Sequence, residues 1–199
     1  NGAGNIIAEH VSGSVEKFIG RMNSRAEELG CSGTHFMITH GLPDKDQYTT
    51  ARDLFVIACE AMRHPVFAEV VGTASYTVPA TNIKDERRLS SSNALINKNS
   101  VYTDQYLYEG AVGIKTGHTD AAGYCLVGAV QRDGMNLITV VLGASGDDEN
   151  RKYFDSFGDT VKLLDWCFEN YSYRSVVEEG YAAAVQPVLI DGKRGELPL

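Results

Sequence analysis

Ala111-Val112-Gly113-Ile114-Lys115-Thr116 is an apolar run that ends on a cation and a hydroxyl. It is followed by Tyr124-Cys125-Leu126-Val127-Gly128-Ala129-Val130, then Arg132-Asp133-Gly134, then Asn136-Leu137-Ile138-Thr139-Val140-Val141-Leu142. Two apolar runs around an Asp-Gly pair carry the signature of a tight hairpin, since Asp and Gly tolerate the positive φ that such turns require. With residues 111–116 as a further strand upstream, the stretch predicts an antiparallel sheet.

Helices flank it on both sides in the sequence. Downstream, Asp147 or Asp148 is placed to cap a long helix whose Phe154, Phe157, Val161, Leu164 and Phe168 form a stripe wide enough to cover one sheet face. Upstream, Val15, Phe18, Ile19, Met22, Ala26 and Leu29 recur at helical spacing over residues 14–29, and Gly30 is suited to a left-handed end. A second upstream helix begins at Thr50, which can cap with Asp53 in the first turn. It buries Leu54, Ile57, Ala58 and Ala61 before His64-Pro65 stops it. Residues 34–49 read as a loop, and residues 73–109 as irregular surface structure. From Ser175 the character changes: alternation over residues 184–190, an Asp191-Gly192 turn and a renewed strand at 196–199 predict the start of a small β domain. The expected organisation is thus a main α/β domain of the α+β type over residues 1–174 and a truncated β domain over 175–199.

The composition narrows the partners. The chain has 199 residues, is 43% hydrophobic and carries a formal charge of −8. That is enough to bury a core, and its sign disfavours nucleic acid or an anionic membrane face as the main partner. No apolar run reaches the roughly 18 residues of a membrane span. Cys31, Cys59, Cys125 and Cys167 are widely spaced, so buried free thiols are expected and a metal site is not.

Lys115-Thr116-Gly117 is where chemistry is expected. A lysine at a strand end can point its ammonium into a cleft, a neighbouring threonine hydroxyl can bind a carboxylate, and a glycine leaves room for a substrate backbone along the strand edge. The tripeptide alone is weak. The longer string Gly113-Ile114-Lys115-Thr116-Gly117-His118-Thr119-Asp120, continued by Ala122-Gly123-Tyr124-Cys125-Leu126-Val127, closely resembles the third motif region of low-molecular-mass penicillin-binding proteins, the serine D-alanyl-D-alanine carboxypeptidases of peptidase family S11. Gly13-Ser14, Met22-Asn23, Leu29-Gly30, His40-Gly41-Leu42 and Thr50-Ala51-Arg52-Asp53 agree with it in the same order. His40, Thr50 and Asp53 read more simply as packing and capping residues.

The resemblance implies a penicillin-binding-protein or serine β-lactamase-like fold, an antiparallel sheet with flanking helices. It implies a serine-type carboxypeptidase that removes the terminal D-alanine from peptidoglycan stem peptides through an acyl-enzyme and is inhibited by β-lactams. Lys115 would stabilise developing charge, the backbone N–H of His118 would supply half of the oxyanion hole, and Asn1 would hold the substrate amide as the asparagine of Ser-x-Asn. Thr116 and Arg151 would hold the terminal carboxylate, with Gly117 and Thr119 on the substrate side. No cofactor is implied. Location outside the cytoplasm, in association with the membrane, is implied as well.

By this alignment the family's Ser-x-x-Lys and the serine of Ser-x-Asn fall before Asn1, so a missing N-terminal segment is expected as a partner and residues 1–199 alone are expected to be inactive. Two local matches invite confusion. Ser14-Val15-Glu16-Lys17 fits Ser-x-x-Lys but stands where a helix cap belongs, and Ser91-Ser92-Asn93 fits Ser-x-Asn but stands too close to Lys115. Gly2 and the stretch at 102–109 depart from the family pattern. Alternatives on the same fold are a non-catalytic peptidoglycan-binding relative and a class A-like β-lactamase. The latter needs a glutamate-bearing loop, and no Glu-x-x-Leu-Asn precedes Lys115.

Overall fold

The computed structural model describes residues 2–100, 104–146 and 155–173. Its centre is a meander of β3 (Ala111–Thr119), β4 (Gly123–Arg132) and β5 (Met135–Ala144), antiparallel and in that order. The Asp133-Gly134 turn between β4 and β5 has φ of 54° and 75°, as a two-residue hairpin of matching twist requires. β3 was expected to end at Thr116. It runs on to Thr119, because Gly117, His118 and Thr119 keep pairing with Cys125, Tyr124 and Gly123. Lys115 therefore sits inside the strand rather than at its end.

Alternation along β4 feeds two cores. Leu126 and Tyr124 pack with Ala94, Leu95, Tyr106 and Phe157, the last from α5 (Asp155–Asn170). Ala129 and Val127 face the other way, into a cluster with Ile114, Ala58, Phe67 and Val71. Ala58 belongs to α3 (Ala51–Met62), and Phe67 and Val71 to α4 (Pro65–Gly72). The sheet is thus covered by α5 on one face and by α3 and α4 on the other. The approach of α5 depends on Gly128: a Cβ there would lie 2.8 Å from Thr139 Oγ1, 3.2 Å from Thr160 Cγ2 and 3.3 Å from Leu95 Cδ1.

The upstream helices form as pairs. The helix expected over 14–29 is α2 (Val15–Glu28), with Ser14 accepting from the Lys17 N–H at 3.2 Å as its cap. Before it stands α1 (Gly2–Ser12), separated by Gly13 at φ 79°. Asn23 on α2 fastens the following loop by two bonds, donating to the Phe36 carbonyl at 2.8 Å and accepting from the Phe36 N–H at 2.7 Å. Thr50 caps α3 by accepting from the Asp53 N–H at 3.1 Å. His64-Pro65 ends α3 as expected, but Pro65 also opens α4, since a missing N–H costs nothing in a first turn.

The reading of residues 73–109 as irregular needs correction. The segment holds an antiparallel hairpin, β1 (Ser75–Val78) with β2 (Arg87–Ser90), and a 3-10 turn at Asp104–Tyr106. Both strands are largely exposed, so no buried face imposed an alternating pattern that could be read. The cysteines are free, but only Cys31 is buried; Cys59, Cys125 and Cys167 are half-buried. The caps expected at Asp147 or Asp148 and the β domain expected from Ser175 lie outside the described residues.

Candidate active site

β3 presents the sequence-predicted residues in a row. Among the described residues it is an edge strand, so part of its backbone hydrogen-bonding capacity faces away from β4. Lys115, opposite Val127, is exposed, and its ammonium donates to the carbonyl of Thr116. Among the described residues it makes no ion pair with a carboxylate, so its charge is not committed to holding the fold. It stands at a cleft of about 490 Å³ that runs between the end of α4, the β1–β2 hairpin and β3. Val70, Val71, Tyr76, Leu89 and Ile114 make the apolar wall of this cleft, and Thr73, Ser75, Ser90 and Ser91 the polar part.

The next residue, Thr116, is half-buried, and its hydroxyl lies 2.8 Å from that of Ser92. At Gly117 a Cβ would meet nothing within 4 Å, so the strand edge there is open. The ring of His118 stacks on Tyr124 with centroids 4.0 Å apart and planes 16° apart. The residue as a whole remains exposed. Thr119 holds the turn that follows: its side-chain and main-chain oxygens both accept from the Ala122 N–H, at 3.1 Å each. Lys115 to Thr119 are therefore brought together. Asn1 and Arg151 lie outside the described residues.

The segment carrying Ser92 is the part that sequence reasoning missed. Asn97 donates to Ser90 Oγ at 2.9 Å and to the Ser91 carbonyl at 2.6 Å, and Ser100 Oγ donates to the Ser92 carbonyl at 3.0 Å. Asn93 and Asn97 are buried. A run of serines followed by asparagine signals tight polar turns, but nothing in it says which strand the turn will touch. The two local motif matches are occupied locally. Ser14 Oγ caps α2, Ser91 Oγ accepts from the Asn93 N–H at 3.2 Å, and Asn93 Oδ1 accepts from the Leu95 N–H at 3.1 Å.

Other candidates for chemistry recede. Burial pushes the thiols of Cys31 and Cys59 above the ordinary range, which keeps the nucleophilic thiolate scarce. Burial, and then the hydrogen bond to Asp165 at 2.7 Å, push the Tyr108 hydroxyl up to about 12. Among the described residues no cluster of His, Cys, Asp or Glu could hold a metal ion, and no helix is long and apolar enough to cross a membrane.

Comparison with known proteins places this geometry. The family model for D-alanyl-D-alanine carboxypeptidase, peptidase S11, matches residues 1–146. The chain is 34% identical over 182 residues to the D-alanyl-D-alanine carboxypeptidase DacA of Escherichia coli, covering 92% of this chain and 40% of the relative. It is 30% identical over 184 residues to DacF of Bacillus subtilis, covering 92% and 43%. The chain thus spans less than half the length of these curated relatives. Among solved structures, a Streptomyces DD-transpeptidase superposes with a TM-score of 0.64 at 33% identity, covering 78% of this chain and 55% of that one. The ampicillin-bound form of a penicillin-binding protein from Listeria monocytogenes gives 0.67 at 30% identity, covering 84% and 62%. The antiparallel sheet with flanking helices is the fold shared with these two proteins.

Proposed function

The chain belongs to the D-alanyl-D-alanine carboxypeptidase family, peptidase S11, and from that premise we propose that it carries the substrate-binding strand of a serine-type D-Ala-D-Ala carboxypeptidase. The observation that carries the proposal is β3 itself. It offers in succession a lysine that makes no ion pair among the described residues, a threonine hydroxyl and an open glycine edge, beside a cleft.

In the proposed reaction the peptide ending in D-Ala-D-Ala lies along the β3 edge. A serine hydroxyl attacks the carbonyl carbon between the two D-alanines, and the hydroxyl proton passes by way of a neighbouring base to the departing amine. D-Alanine leaves, an ester to the serine remains, and water hydrolyses it. Lys115 lowers the cost of the negative charge that develops in the cleft. The His118 N–H donates to the oxyanion, a contact worth about 100- to 1,000-fold in rate where it has been removed elsewhere. Thr116 and Arg151 take the terminal carboxylate, the guanidinium by its two-pronged fit, and Asn1 holds the substrate amide. The nucleophile is assigned to neither Ser14 nor Ser91, whose hydroxyls serve a helix cap and a turn. A β-lactam, which carries a carboxylate beside a strained amide, would acylate the same serine and leave slowly. The site of action is the peptidoglycan outside the cytoplasmic membrane.

The test is D-alanine release from a D-Ala-D-Ala-ended peptide, together with covalent labelling by a fluorescent penicillin, in the protein at its full natural length. Both are expected, and penicillin should block D-alanine release. Absence of both would overturn the proposal. Labelling without D-alanine release would favour a non-catalytic penicillin-binding role.

A further inference from the structure

We infer that Ser92 is a positioning residue for Thr116 and sets the direction in which the threonine hydroxyl donates to a carboxylate-ended peptide. The inference rests on the proposed function, since it takes Thr116 as a carboxylate-binding group.

The starting point is the 2.8 Å separation of the two hydroxyl oxygens, within the usual range for an O–H···O bond, in which either oxygen could donate. Each hydroxyl has one proton and two lone pairs. If Thr116 spent its proton on Ser92, it would meet an arriving carboxylate with lone pairs alone, and the contact would be repulsive. If Ser92 donates, the Thr116 proton is released to point at the anion. A carboxylate therefore selects the polarity Ser92 to Thr116 to substrate, and a chain of donors running one way strengthens each link.

The surroundings fit an orienting role better than a structural one. Ser92 is exposed, so its bond to Thr116 competes with water and adds little to folding. Its backbone is nevertheless held tightly. Ser100 Oγ donates to the Ser92 carbonyl, buried Asn97 donates to the carbonyl before it, and the exposed hairpin strand β2 delivers the chain into this clamp. A buried amide and a buried hydroxyl thus fix the backbone under a solvent-facing hydroxyl, whose partner among the described residues lies on the site strand.

The experiment is a double-mutant cycle of Ser92→Ala and Thr116→Ala in the protein at its full natural length, read by steady-state kinetics of D-alanine release. Ser92→Ala should raise KM about 5- to 10-fold with kcat within twofold, the effect of weakening one hydrogen bond made in both ground and transition states. In the Thr116→Ala background the same change should matter less than twofold. Ser92→Thr should restore KM, while Ser92→Cys, of similar volume but a weak donor, should behave like Ser92→Ala. Melting temperatures of all variants should stay close to the parent. A parent that releases no D-alanine would overturn the proposed function and this inference with it. An active parent in which Ser92→Ala is silent, or adds fully to Thr116→Ala, or lowers kcat and melting temperature together, would overturn the role of Ser92 alone.

Discussion

The carboxylate of Asp53 accepts from the Gly33 N–H at 2.8 Å and, with the same oxygen, from Thr34 Oγ1 at 2.7 Å. This ties the start of α3 to the loop that leaves α2. Asp53 is buried, and a Cβ on Gly33 would lie 2.7 Å from Thr50 Cγ2, so the two segments meet closely. Asp53→Ala strands the Gly33 N–H, leaves the Thr34 hydroxyl only its contact with Thr49 Oγ1 at 2.9 Å, and should cost about 1–3 kcal/mol, measured as a lower urea midpoint. Asp53→Asn keeps one acceptor and should cost less. An alanine variant as stable as the parent would show that the tie is dispensable.

Lys115→Ala should separate activity from stability. Its ammonium makes no ion pair among the described residues, so the melting temperature should hold. D-Alanine release and penicillin acylation should each fall by about tenfold or more, at least ~1.4 kcal/mol of lost transition-state stabilisation. Activity within twofold of the parent would remove the β3 lysine from the chemistry.

Gly128→Ala tests the packing of α5. The added methyl would have to displace Thr139, Thr160 or Leu95, all within 3.3 Å of its position. Overpacking of this kind costs about 1–3 kcal/mol. Thermal unfolding unchanged by the substitution would mean that α5 sits less tightly on the sheet than described.

The raised titration of Tyr108 gives a pH window. Its neutral form is favoured in the folded protein, first by burial and then by its bond to Asp165. The sign follows: a group whose folded pKa is raised contributes stability that is complete below its unfolded value near 10 and is lost as pH climbs through about 12. Absorbance titration should show a late-ionising component that is lost in Tyr108→Phe. Asp165→Asn should make it titrate earlier. A titration curve unchanged at high pH by Tyr108→Phe would contradict the assignment.

Neither Ser14 nor Ser91 should be acylated by penicillin, because Ser14 is held as a cap and Ser91 in a turn. Intact-mass analysis after incubation with benzylpenicillin checks this. An adduct mapped to either serine would reverse the reading of those two local matches.

The parts of the fold that were legible are those where one physical demand acted on many neighbouring residues. β3, β4 and β5 are apolar because they lie between covered faces, and Asp133-Gly134 is the pair that their turn requires. Ser14 and Thr50 were readable as caps because a helix start needs an acceptor beside its free N–H groups. What escaped reading lacked such a demand. β1 and β2 face water, so their pairing left no alternation. Pro65 was read only as a stop because ending one helix and beginning the next use the same property of proline. In the site, Lys115, Thr116 and Gly117 announced themselves through adjacency. Ser92 joins them only through space, across 24 residues, and a polar run carries no mark of the strand it will meet.

The meander of β3, β4 and β5 has a kinetic corollary. Consecutive strands joined by short turns close small loops, so their pairing loses little chain entropy and is among the quickest steps open to a sheet. The strand that bears Lys115 is therefore assembled from its own stretch of polypeptide, early. The contact from Ser92 closes a wider loop, across 24 residues, so Lys115 takes its place in the sheet before Ser92 reaches Thr116.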